Sequence, residues 1–219
     1  MRLRKTFLSL LFFLFSLTLS AQYNTLNELY IGASGGATMS TITLVPKLVD
    51  KMFTFNNDYG LTLRYISEEH FGLQAEVNHY ESGWKEDLAG NGLNYSYARK
   101  LSFIEIPFML HAYTGNHSHF FLNVGPDISL YQSESEEYVD NSETFAQHGK
   151  KVEHTFQYGI VAGGGLEFHV WRSVIGLEGR YHYNLSNIYN DAVGDAFNTS
   201  SIQSISLNLY LLFQVGGHK

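Results

Sequence analysis

The chain has 219 residues, of which 44% are hydrophobic, 15% aromatic and 16% charged, with 20 Gly, 3 Pro, no Cys and a formal net charge of −7. The apolar content excludes a disordered chain, and the acidic balance excludes phosphate-backbone binding as the main activity, so no nucleic-acid partner is expected. Without cysteine there are no disulfides, thiolate metal sites, cysteine nucleophiles or acylated lipoprotein cysteines in this chain.

Arg2, Arg4 and Lys5 precede an apolar and small-residue run over residues 7–19, followed by Ser20-Ala21-Gln22. A basic start, a short apolar centre and a small residue before a polar one predict a signal peptide over residues 1–21. The run is shorter than the roughly 20 residues that a spanning helix needs. Residues 22–219 are then expected to form a single domain.

Period-two alternation dominates that domain. Residues 29–39 give a first strand, and in residues 59–65 Leu61 and Leu63 oppose Thr62 and Arg64. The clearest case is residues 71–78, with Leu73, Ala75 and Val77 on one face and Gln74, Glu76 and Asn78 on the other. Residues 104–112, 120–130 and 156–168 follow. Over residues 175–185, Leu177, Tyr181 and Tyr183 oppose Glu178, Arg180, His182 and Asn184. In residues 205–215, Leu207, Leu209, Leu211 and Phe213 oppose Ser206, Asn208 and Gln214, which makes eight strands in all.

Three connections are tight (67–70, 114–118 and 170–172) and four are long (40–56, 85–96, 133–153 and 186–202). An even strand count with short turns at one end and long polar loops at the other predicts an all-β fold, an eight-stranded antiparallel up-and-down transmembrane β-barrel of the outer membrane, with both termini periplasmic. Only a closed sheet pairs every backbone group of strands in lipid. Tyr59, Tyr80, Trp84, Tyr97 and Tyr183 are expected in one interfacial girdle and Phe71, Phe120, Phe168 and Trp171 in the other. A soluble barrel or sandwich shares the alternation with its apolar face inward. Full charges at mid-strand, strictly alternating loop lengths and flanking aromatics favour the membrane barrel.

An eight-stranded barrel leaves a lumen just wide enough for side chains to fill. Glu76, Glu105, Glu178 and Arg180 are expected near mid-height, with Arg180 bridging Glu76 and Glu105 through its planar fork. Arg64 and Glu167 form a second expected pair nearer the short-turn end. Lumenal Gly32, Gly36, Gly159, Gly163 and Gly165 would make room for long neighbours. The first long loop is apolar at Ile42, Leu44, Val45, Leu48, Val49, Met52 and Phe53, which predicts a contact surface.

Other motifs carry less. The Gly163-Gly164-Gly165 run and the glycines over 32–36 lie inside strands, and not before a helix as a phosphate loop requires. His117 and His119 share one face of an extended segment but have no third ligand nearby in sequence, and the acidic loop with Glu134, Glu136, Glu137, Asp140 and Glu143 lacks calcium-loop spacing. No metal or cofactor is expected. His79, Glu81 and Ser82 sit near the outer rim, where some small barrels carry lipid-modifying chemistry, but neighbours along one strand alternate faces and converge poorly. No catalytic residues are assigned.

The residues 31–40 (IGASGGATMS), 71–77 (FGLQAEV), 104–110 (IEIPFML), Gly125-Pro126, 159–167 and 177–181 (LEGRY), in that order, resemble the PorT-like outer-membrane β-barrel proteins of Bacteroidota. The resemblance covers essentially the whole domain. It implies an eight-stranded barrel and, for the family's namesake, an accessory role in type IX secretion. The combined expectation is a non-catalytic barrel with a closed or narrow lumen, in contact with outer-membrane lipid and with envelope or secretion proteins through its long loops. A secretion accessory, a narrow solute channel and a lipid-modifying enzyme are the alternatives.

Overall fold

The computed structural model describes residues 26–47, 51–87, 96–116, 118–139, 145–192 and 194–217. It contains β1 (Glu28–Val45), β2 (Lys51–Met52), β3 (Thr54–Glu68), β4 (Phe71–Asp87), β5 (Ser96–Gly115), β6 (Ser118–Val139), β7 (Phe156–Val170), β8 (Ser173–Asn184) and β9 (Thr199–Gly216). Each long strand pairs antiparallel with its chain neighbour, β4 pairs β5, and β1 pairs β9, so eight long strands close a ring. The closing seam is long, running from Leu29↔Gly216 to Val45↔Thr199. The two-residue β2 pairs Lys51 with Glu86 and Met52 with Lys85, prolonging on β4 the ladder begun by β3.

Alternation sets the two faces. On β3, Leu61 is 66% exposed while its neighbours Thr62 and Arg64 are buried. The same outward row recurs in Leu73 and Val77, Phe120 and Leu122, and Leu207, Leu209 and Leu211. A soluble barrel would bury these side chains, so the apolar face points away from the lumen and the polar face fills it.

Strands run further than the sequence pattern predicts. The longest, β6, has 22 residues, about twice what is needed to cross a bilayer when tilted. The extension lies at the long-loop end, where Ile42 and Leu44 belong to β1 and are buried inside the barrel. They are therefore core residues and not part of a loop surface. Tyr80, Trp84 and Tyr97 likewise depart from the girdle expected of them and point inward, buried. The reason is parity: Tyr80 and Trp84 are an even number of residues along β4 from Glu76 and Asn78, so they share the lumenal face. Tyr59 and Tyr183 at one end, and Phe71, Phe120, Phe168 and Trp171 at the other, are outside.

Two apolar clusters close the interior. At the long-loop end Ile42, Leu44, Trp84, Tyr97, Leu101, Phe103 and Ile202 pack with loop residues Ile188, Tyr189 and Phe197. At the short-turn end Tyr30, Ile66, Phe121, Val174, Tyr210 and Leu212 pack together. Between them lies the network of Arg180, Glu76 and Glu178.

Candidate functional site

The lumen at mid-height is organised by Arg180 of β8. Its Nη1 and Nη2 donate to Glu76 Oε2 and Oε1 on β4, each at 2.8 Å, and Nη2 also donates to Glu178 Oε2 at 2.8 Å. Gln74 and Asn78, two residues either side of Glu76 on the same face, donate to its oxygens at 2.5 and 2.8 Å. Asn123 donates to Glu178 Oε1 at 2.9 Å. A buried guanidinium held by two carboxylates, each with further donors, meets the condition under which buried charge is tolerated.

The expected Arg180–Glu105 contact does not form. Glu105 Oε1 instead faces His182 Nδ1 at 2.9 Å, with Tyr80 stacked on the imidazole at a centroid distance of 5.1 Å. The bridge from Arg180 goes to Glu178, two residues along its own strand, because same-face neighbours reach each other without crossing the lumen.

Nearer the short-turn end, Arg64 Nη1 donates to Glu167 Oε2 at 2.7 Å across the barrel, and Arg64 Nε donates to Gln74 Oε1 at 2.7 Å. The Tyr210 hydroxyl donates to the same Glu167 oxygen at 2.6 Å. Gly176 makes this possible, since a Cβ there would overlap the Tyr210 ring. Gly163 does the same for Glu178, whose Oε1 occupies the space a side chain would take. Glu167 Oε1 is surrounded by imidazoles: His119 Nδ1 and His169 Nε2 at 3.1 Å each, and His111 Nε2 at 3.9 Å.

The long-loop end is shut by Arg99, whose role the strand pattern did not reveal because it lies beyond the clear alternation on β5. Its buried guanidinium donates to the Tyr189 hydroxyl at 2.9 Å, to the Gln147 carbonyl at 3.1 Å and to the Lys150 carbonyl at 2.6 Å, and pairs with Glu134 and with Glu136 at 2.9 Å. Trp84 and Tyr189 flank it. Burial among apolar rings and the nearby carboxylates raise the Tyr189 phenol well above its ordinary pKa, so it remains a neutral partner. Glu86 below accepts from Trp84 Nε1 at 2.9 Å and Gln147 Nε2 at 3.0 Å, and meets His148 at 2.8 Å. The two longest connections are also clipped to each other, the Glu153 amide donating to the Ile188 carbonyl and Glu153 Oε2 accepting from the Asn190 amide, 2.9 and 2.8 Å.

Of the apolar first-loop set, Ile42 and Leu44 are inside, Leu48 and Val49 lie outside the described residues, and Val45, Met52 and Phe53 are exposed, as is Phe55, two residues beyond Phe53 and 77% exposed. His79 and Glu81 lie 3.7 Å apart, but Glu81 is engaged by Lys100 at 2.7 Å and Ser82 is buried on the opposite face of β4. These three are not brought together. His117 and Asp140 lie outside the described residues.

Residues 20–190 match the family described as outer membrane protein beta-barrel domain. The chain belongs to this family. It is an outer-membrane β-barrel, and its outward apolar rows contact membrane lipid. No curated protein matches it in sequence. Among solved structures it is similar to the outer membrane protein OprG of Pseudomonas aeruginosa, at 11% identity and TM-score 0.54, covering 90% of this chain and 100% of that one. Neisserial surface protein A (13%, TM-score 0.44, 85% and 96% covered) also matches. So does Ail of Yersinia pestis, in complex with the heparin analogue sucrose octasulfate (14%, TM-score 0.40, 85% and 99% covered). The OprG likeness supports the small-barrel fold alone.

Proposed function

We propose that this protein is a closed, non-catalytic outer-membrane barrel that acts as a structural or assembly component through its long-loop end. The observation that carries the reading is the filling of the lumen over its whole height: an apolar plug of strand and loop side chains at one end, the Arg180 network in the middle and a second apolar cluster at the other. A barrel built for conduction keeps a continuous polar path. In this reading residues 1–21 are a signal peptide and both termini face the periplasm, which puts the clipped loops outside the cell. The exposed Met52, Phe53 and Phe55, with Val45 also exposed at the end of β1, then offer apolar side chains for contact at the outer rim. A PorT-like kinship, resting on the order of the strand motifs, makes a secretion assembly the partner class favoured within this proposal.

Two measurements test it. In planar bilayers the purified barrel is expected to give no steady single-channel openings, and regular openings would replace this reading with a solute channel. A photo-crosslinking residue at Phe53 in intact cells is expected to capture a discrete envelope-protein adduct, and crosslinks to lipid alone would overturn the assembly role.

A further inference from the structure

We propose that the short-turn end of the lumen holds a binding site for one divalent transition-metal ion of the zinc class, formed by His119, Glu167 and His169 with His111 completing the set. The donor atoms of the first three lie within 4.8 Å of one another. They come together because β6 and β7 pair His119 with Glu167 in register, while His169, two residues beyond Glu167, shares its face. Sequence proximity offered only His117 as a companion for His119. Strand pairing supplies the others.

Hydrogen bonding determines which nitrogens face the centre. His119 Nε2 lies 3.0 Å from the Asn116 carbonyl, which can only accept, so that nitrogen carries the proton and Nδ1 presents its lone pair to Glu167 Oε1. Asn123 uses its amide nitrogen on Glu178, leaving its Oδ1 to accept from His111 Nδ1 at 2.8 Å. His111 Nε2 therefore also presents a lone pair, and it is fully buried with no hydrogen-bond partner. Two imidazole lone pairs aimed at one carboxylate oxygen repel unless a cation lies among them. His119 and His111 each have the far nitrogen held on an oxygen acceptor, which is the outer-shell pattern of metal sites.

The carboxylate is oriented in the same way. Glu167 Oε2 is occupied by Arg64 and Tyr210, at 2.7 and 2.6 Å, leaving Oε1 for the imidazoles. Zinc–ligand bonds of about 2.0–2.1 Å in tetrahedral geometry separate ligand atoms by about 3.3–3.4 Å, and the separations of 3.1, 3.1 and 3.9 Å from Oε1 bracket that value. A single divalent ion placed among them would accept the lone pairs of His119 Nδ1 and His111 Nε2 together with Glu167 Oε1. His169 is 30% exposed and gives the ion a route in from the short-turn end. Three nitrogens and one carboxylate oxygen suit zinc, copper or nickel better than calcium or magnesium.

The test uses the full chain expressed with its leader, purified from outer membranes in detergent, stripped with chelator and titrated with ZnCl2 by calorimetry. One ion per barrel is expected, with cobalt giving the absorption of a four-coordinate nitrogen and oxygen site. His169→Gln, at the rim and outside the Arg64–Glu167–Tyr210 contacts, is expected to weaken binding at least tenfold, and His119→Gln/His169→Gln to abolish it. His79→Gln, at the other end, should bind as wild type. Heat-modifiable gel mobility reports that each variant is folded. Absence of stoichiometric binding by the wild type, or equal binding by the folded double variant, would overturn the proposal.

Discussion

Arg180 and Glu76 meet across the lumen through two parallel hydrogen bonds of 2.8 Å each, joining β8 to β4, strands that are not neighbours in the ring. Both side chains are essentially inaccessible, so their charges depend on each other and on Glu178. Replacing Arg180 with Met leaves two buried carboxylates without their cation, at a cost of about 3–5 kcal/mol. Urea unfolding in lipid, or the temperature at which the folded band converts on a gel, should fall accordingly. Arg180→Met combined with Glu76→Gln and Glu178→Gln should recover much of the loss; an unchanged Arg180→Met barrel would show that water already solvates these groups.

Gly176 is expected to tolerate no side chain while Tyr210 keeps its place. Gly176→Ala should destabilise by about 1–3 kcal/mol through overpacking. Because the clash is with Tyr210 itself, Tyr210→Leu added to Gly176→Ala should cost less than the sum of the two single changes. Strict additivity in a double-mutant cycle would refute the contact.

Arg99→Ala is expected to release the loops more than the barrel. The guanidinium holds the Gln147 and Lys150 carbonyls and the Tyr189 hydroxyl, whereas its carboxylate partners Glu134 and Glu136 are partly exposed and can be rehydrated. The penalty is therefore closer to about 1–3 kcal/mol, that of unsatisfied hydrogen-bonding groups, than to that of a stranded buried ion. Hydrogen exchange should accelerate in residues 145–155 and 185–198 while the strand amides stay protected. Acceleration spread evenly over the strands would contradict a local latch.

Glu153 makes the loop clip sensitive to acid. Its carboxylate accepts from the Asn190 amide and pairs with Lys150 at 2.9 Å, which holds its pKa below the usual carboxylate range. A carboxyl depressed in the folded state stabilises fully above its unfolded value of about 4.3 and loses that contribution as pH falls through the folded value. The Asn190 amide should thus be better protected in wild type than in Glu153→Gln near neutral pH, and the difference should shrink as pH falls below the ordinary carboxylate range and vanish once Glu153 is protonated in the folded state. A difference that grows on acidification would reverse the sign and exclude the carboxylate as its source.

The sequence by itself determined the class of fold and its inside-out character, because a period of two tells which residues share a face and the composition of each face tells which one meets lipid. Leu61, Leu63, Glu76, Arg180 and the alternating loop lengths were sufficient for that, as was the Arg64–Glu167 pair, whose partners stand near one height on opposite walls. Tyr80 and Trp84 were expected in the girdle and lie inside, as parity carried beyond the clearest strand segments explains. What only the tertiary structure decided is which lumenal groups touch. Reach across the barrel depends on strand register and side-chain length, so Arg180 took Glu178 and left Glu105 to His182. Register likewise gathered His111, His119, Glu167 and His169 from three strands, and the folding of two loops onto Arg99 created a plug from residues that a linear reading assigned to solvent.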